Sequence, residues 1–136
     1  MGEVMINESY MNEECFSYRN LSVYQHAKLF VIFVYNLLKQ FPKEEQYALC
    51  DQLRRAAISI PSNIAEGSGR VSLKEQIHFI EIAFASSYEV MCQIELAYEL
   101  NYINEKELKE SEEQVQSIAQ MLSGLRNSKR AMLDKR

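Results

Sequence analysis

The chain has 136 residues, 47% of them apolar and 25% charged, with only four glycines and two prolines. This suits one domain with a substantial core, and it argues against a sheet built on many turns. The formal charge of -4 gives no global signature of nucleic-acid binding, and Cys15, Cys50 and Cys92 are too few and too scattered for a disulfide framework or a CxxC zinc site.

Charge is unevenly distributed. The first fourteen residues hold Glu3, Glu8, Glu13 and Glu14 and no Lys or Arg. The last eleven hold Arg126, Lys129, Arg130, Lys135 and Arg136 against Asp134 alone. A basic tail either meets a phosphate backbone or is a solvated helix end. The start MGEVMINESY lacks a basic region followed by an apolar core, so no signal peptide is expected and the cytoplasm is the simplest home. The most apolar run, LFVIFVYNLL at 29–38, is too short to cross a bilayer, so no membrane partner is expected.

Residues 1–19 show no sustained period and are expected to be loose, with Phe16 and Tyr18 as anchors to the body. A first helix is predicted over 22–40, with Ser22 as N-cap and Gln25 completing a capping box. Phe41-Pro42 stops it. Leu29, Ile32, Phe33, Leu37 and Phe41 form one apolar seam, and Phe30, Val31, Val34 and Leu38 widen it beyond one stripe.

A second helix is predicted over 43–66. Leu49, Leu53, Ala56, Ala57, Ile60 and Ile64 share its core-facing side, and Cys50, Arg54, Ile58, Pro61 and Ala65 share a second, mostly small or apolar side. Pro61 either kinks a continuous helix or breaks it at Ile60; the unbroken apolar phase from Leu49 to Ile64 favours the kink. Gly67 is the expected left-handed C-cap, and GSGR at 67–70 lacks the phosphate-loop pattern and reads as a turn that Gly69 closes.

A third helix over 72–101 starts at a Ser72/Glu75 capping box and carries the small patch Ala85, Ser86 and Ser87 at its middle. A fourth over 104–125 starts at Asn104 with Glu107 at N3 and frays after Leu125. Four helices with short joints predict an all-α, antiparallel up-down-up-down four-helix bundle over 20–126, with a flexible segment before it and a basic tail, 127–136, after it. The doubled apolar faces of the first three helices imply either a broad core or a second surface buried by self-association.

No enzyme is expected. His26 and His78 are the only histidines, and EQIH at 75–78 is a single ExxH where a dinuclear carboxylate site needs two. Glu75, His78 and Glu81 share a face but lack further ligands in sequence, so no metal and no cofactor are expected. Cys50 and Cys92 are expected as buried thiols. Arg54 and Arg55 have two open readings: ion pairs or rim contacts at a helix interface, or a basic ring in an oligomer that binds phosphates. Arg70 and Lys74 lie too far along the chain to share a compact anion pocket with them.

The stretch QLRRAAISIPSNIAEGSGR at 52–70 resembles the signature of the four helix bundle proteins linked to intervening sequences in bacterial 23S ribosomal RNA genes. The likeness begins at LSVYQHAKLFVIFVYNLLKQFPKEEQYALC and continues through Phe79, Ile82-Ala83, Ser87 and Glu89, covering about residues 20–123. Ser86 stands where that family usually has Gly, and Tyr24 where Trp is more frequent. The resemblance implies an antiparallel bundle assembled as a homopentamer around a central channel. A more distant likeness in fold to the accessory protein of diversity-generating retroelements implies nucleic-acid contact through a basic surface. On that analogy Arg54, Arg55, Arg70 and Lys74 are the first candidates for RNA or DNA contact. Arg126, Lys129 and Arg130 follow on charge alone. A partner protein is the alternative.

Overall fold

The computed structural model describes residues 16–136. The expectation of a loose start therefore lies outside the described residues as far as residue 15. Ser17–Asn20 form a 3₁₀ turn, and the Tyr18 ring packs edge-on against Tyr24 with centroids 4.8 Å apart. Four helices follow: α1 (Ser22–Leu38), α2 (Leu49–Ser68), α3 (Leu73–Glu99) and α4 (Glu105–Asp134). Each packs on its neighbour in sequence and α1 closes on α4, giving the predicted up-down-up-down bundle.

α1 starts at Ser22, but its N-cap is Leu21, which makes no side-chain cap bond. Gln25 does not complete a capping box with Ser22. Its amide donates instead to the Arg19 carbonyl at 2.8 Å, tying the 3₁₀ turn to the helix. The buried stripe of α1 is Val23, Ala27, Phe30, Val34 and Leu37, spaced four, three, four and three. Leu29 and Ile32, expected in the inner seam, face outward at 64% and 58% exposure. Two apolar stripes compete on this helix, and periodicity alone cannot rank them.

α2 begins at Leu49, six residues later than expected, because a 3₁₀ turn at Lys43–Glu45 and the non-helical Ala48 (φ -120°, ψ -101°) precede it. Glu45 in that turn accepts a 2.8 Å bond from the Tyr102 hydroxyl, and the Gln40 amide donates to Glu107 at 2.6 Å. These bonds join the α1–α2 and α3–α4 connections at one end of the bundle. α2 then runs unbroken through Pro61. Within that stretch, Ser59 and Ser86 share a hydrogen bond at 2.8 Å, and the Asn63 amide donates to the Ser59 carbonyl and hydroxyl at 2.8 and 2.9 Å.

Gly67 is not a left-handed cap. It lies inside α2, and no glycine among the described residues has positive φ; Gly69, at φ -85°, ends the helix. A Cβ on Gly67 would lie 2.9 Å from the Phe79 Cβ, so glycine is needed there for the approach of α3. The left-handed residue is Asn101 (φ 64°), just past α3, where Tyr102 N–H bonds back to the Ala97 carbonyl at 2.9 Å.

Ser72 caps α3 by accepting the Glu75 N–H at 3.0 Å, and Asn104 with Glu107 forms a complete capping box on α4. α4 does not fray at Leu125. It continues to Asp134, so most of the expected basic tail is helical. Leu125, Met132 and Leu133 keep helical spacing across the tail, which was the available signal.

Replacing Gly67 with Ala is expected to destabilise the bundle by about 1–3 kcal/mol. Gly124→Ala in α4, where a Cβ would meet nothing within 4 Å, is expected to stabilise it by about 0.5–1 kcal/mol. Urea unfolding of the two variants beside the parent chain checks both signs.

Candidate interaction surfaces

The sequence-named cations divide between the two ends of the molecule. Arg54 and Arg55 lie near the start of α2. Arg54 donates to the Gln46 carbonyl at 3.0 Å and lies 3.7 Å from Asp51, so it fastens the irregular turn that precedes its own helix. Arg55 reaches the other Asp51 oxygen at 3.3 Å, with 81% of its side chain exposed. One turn before Arg54, burial raises the Cys50 thiol above its ordinary range; Arg54 opposes that shift and Glu45 adds to it. Cys92, expected to be buried, is exposed on α3.

Arg70 lies sixteen residues further along α2 and its turn, roughly 24 Å away at helical rise. It pairs with Glu66 at 2.7 Å and approaches Glu75 at 3.9 Å, its guanidinium 4.7 Å from the Phe79 ring centre. The extension of α4 delivers the other cations to the same end. Lys129 donates to Gln76 at 2.9 Å, and Arg130 pairs with Glu81 at 2.9 Å. Arg126 donates to Ser123 at 3.2 Å and lies 5.4 Å from the Phe84 ring centre. Its Nε is buried without a hydrogen-bond partner. Arg70, Lys74, Arg126, Lys129 and Arg130 thus gather at one end, while Arg54 and Arg55 stand at the other.

Two apolar grooves run along the sides. One, of 420 Å³, lies between α1 and α2 and is lined by Tyr24, Val31, Ile32, Ile58, Pro61 and Ala65 among others. Ile32 and Ile58 of its wall are exposed, and so are Leu29 and Tyr35 elsewhere on α1. The second side of α2 read from the sequence is therefore partly outward, as a second surface requires. The other groove, of 610 Å³, lies between α3 and α4 over Phe84, Tyr88, Met91, Val115 and Ala119. Tyr88 in this groove is exposed, with its ring 5.0 Å from that of Phe84.

Among the described residues no three His, Cys, Asp or Glu side chains gather in a way that could hold a metal ion. Glu81 is engaged by Arg130, and the exposed His78 packs edge-on to Phe79 at 5.5 Å. His26 Nδ1 donates to the Ser22 carbonyl at 2.9 Å, a local contact within the first turn of α1. No helix among the described residues is long and apolar enough to cross a membrane.

These features define an antiparallel four-helix bundle with grooved, partly apolar sides and separated charge. Residues 19–124 match the 23S rRNA-intervening sequence protein family, and the chain belongs to that family. Its fold is similar to the crystal structure, at 1.70 Å, of a protein of unknown function from the S23 ribosomal protein family of Bacteroides thetaiotaomicron. The two share 23% identity and a TM-score of 0.72 over 77% of this chain and 95% of that one. No curated protein matches the chain.

Arg54→Ala is expected to cost about 1 kcal/mol by releasing the Gln46 carbonyl. Arg55→Ala is expected to change stability by less than about 0.5 kcal/mol. Thermal or urea unfolding separates the two. In the folded protein, a thiol reagent is expected to modify Cys92 faster than Cys50. Cys50 is protected by burial and by its raised pKa, which leaves less thiolate at any given pH. Peptide mass spectrometry over a time course reads both sites.

Proposed function

We propose that this chain is a non-enzymatic scaffold or interaction protein that works as a homo-oligomer, the pentamer that the family resemblance implies. The observation that carries the reading is the outward apolar stripe of α1. Leu29, Ile32 and Tyr35 follow one another at three-residue steps and are exposed among the described residues, and Ile32 shares the α1–α2 groove with Ile58 of α2. A second copy is the occupant the reading commits to, because a stripe repeated on every subunit can be covered by the same contact around a closed ring.

A second reading, contact with RNA or DNA, is favoured by the gathering of Arg70, Lys74, Arg126, Lys129 and Arg130 at one end. A ring would repeat that end on one face and multiply its attraction for phosphates. Arg54 and Arg55, first on the sequence-based list, fit this reading less well, because both are engaged by Asp51 at the other end. The distant likeness to the retroelement accessory protein points the same way, through fold alone.

Light scattering at micromolar concentration is expected to show an oligomer, and Ile32→Glu is expected to dissociate it while circular dichroism stays helical. A monomeric parent chain would remove the oligomer reading. Titration with structured RNA at two salt concentrations tests the second reading; no salt-sensitive binding would leave a protein-binding adaptor in its place.

A further inference from the structure

The bundle presents two apolar surfaces, and they differ in shape. Among the described residues each helix packs on its neighbours in the order α1, α2, α3, α4, with α1 closing on α4 and no packing across either diagonal. The helices therefore stand as the corners of a square. Leu29, Ile32 and Tyr35 occupy the α1 corner. At roughly 100° per residue, Ile32 points away from the buried stripe of Val23, Ala27, Phe30 and Val34, so the three form a ridge. The groove over Phe84, Tyr88, Met91, Val115 and Ala119 is a furrow on the α3–α4 side.

Ridge and furrow stand at one level. Leu21 and Ile80 wall the same cavity at one end of the bundle, and α1 and α3 run in the same direction from there. Leu29 and Tyr88 each lie eight residues further on, about 12 Å along the axis. At the other end Gln40 bonds to Glu107. Ile32 and Val115 each lie eight residues in from that bond, again about 12 Å. Charge agrees with shape. α1 contains no Asp or Glu, and Lys39 follows it beside Ile32 and Tyr35. The furrow is lined by Glu112 and by no Lys or Arg. Measured from the Gln40–Glu107 bond, Lys39 and Glu112 differ in level by about 6 Å, within reach of a lysine side chain.

We propose that the subunits join head to tail: the α1 ridge of one copy seats in the α3–α4 groove of the next, with Lys39 facing Glu112. The inference rests on the oligomer reading above and names its contact. Two unlike surfaces leave every copy with a ridge for one neighbour and a groove for the other, so the contact propagates. Equal levels mean that no axial rise accumulates from copy to copy. The corner opposite α1 is α3, whereas the groove lies between α3 and α4, so successive copies turn. Turning without rise closes a ring rather than a filament. Ridge-to-ridge pairing would stop at a dimer and leave the groove open.

Tyr88→Glu and Ile32→Glu are both changes at exposed positions, so the fold is expected to survive, which circular dichroism checks. Light scattering is expected to show both variants as monomers. A monomeric parent removes the oligomer reading and this contact with it. If the parent is oligomeric and Tyr88→Glu keeps its mass, the head-to-tail contact alone falls. Cross-linking supplies a second readout. In a Cys15→Ser/Cys92→Ser chain, where the remaining Cys50 is buried, Ile32→Cys and Tyr88→Cys are introduced singly and together and treated with a short bis-maleimide. Covalent multimers beyond the dimer are expected from the double variant and none from either single one. Covalent dimers from either single variant, or a double variant that stays monomeric or stops at the dimer, would overturn the proposal.

Discussion

The close approach of α2 and α3 is the constraint on which the rest of the bundle depends. Three small positions on α2 permit it. Ala57 is fully buried, Ser59 bonds to Ser86 across the interface, and Gly67 leaves room for the Phe79 Cβ. A larger group at Gly67 would push the helices apart where the chain turns between them. Pro61 is tolerated within the same helix, and the Asn63 amide, through Ser59, supplies hydrogen bonds beside it. Once α2 and α3 are in place, α1 and α4 have one remaining pair of surfaces on which to close.

That closure decides which apolar stripe of α1 becomes core. The stripe built on Ala27, Val23 and Val34 presents small or β-branched groups and goes inward around Phe30. The bulkier stripe of Leu29, Ile32 and Tyr35 is left outside. That exposed apolar face is what links the packing of one helix to the proposed assembly. The α3–α4 groove over Phe84, Tyr88 and Met91 is a separate surface, with an arginine at one end and Glu112 toward the other.

Charge follows from the same topology. Antiparallel helices bring the start of α3 beside the finish of α4, so cations distant in sequence converge, while the acid-rich start of α4 meets the α1–α2 connection at the opposite end. Most of the gathered cations are already satisfied by Glu66, Glu81 or Gln76, which tempers their pull on phosphates and makes the net count at that end more informative than any single arginine.

Local rules were legible in the sequence: the four helices, the caps at Ser72 and Asn104, the continuity of α2 through Pro61, the core series from Leu49 to Ile64, and the 52–70 signature. Each depends on residues within one or two turns of one another. Features that depend on a partner helix were not legible. The outward turn of Leu29 and Ile32, the packing role of Gly67, the exposure of Tyr88 and Cys92, and the division of Arg54 and Arg55 from Arg70 and Lys129 all required the neighbours to be in place. Hydrophobic spacing defines an angle around a helix axis. Only the other three helices define which angle points inward, and therefore which residues remain to meet a partner.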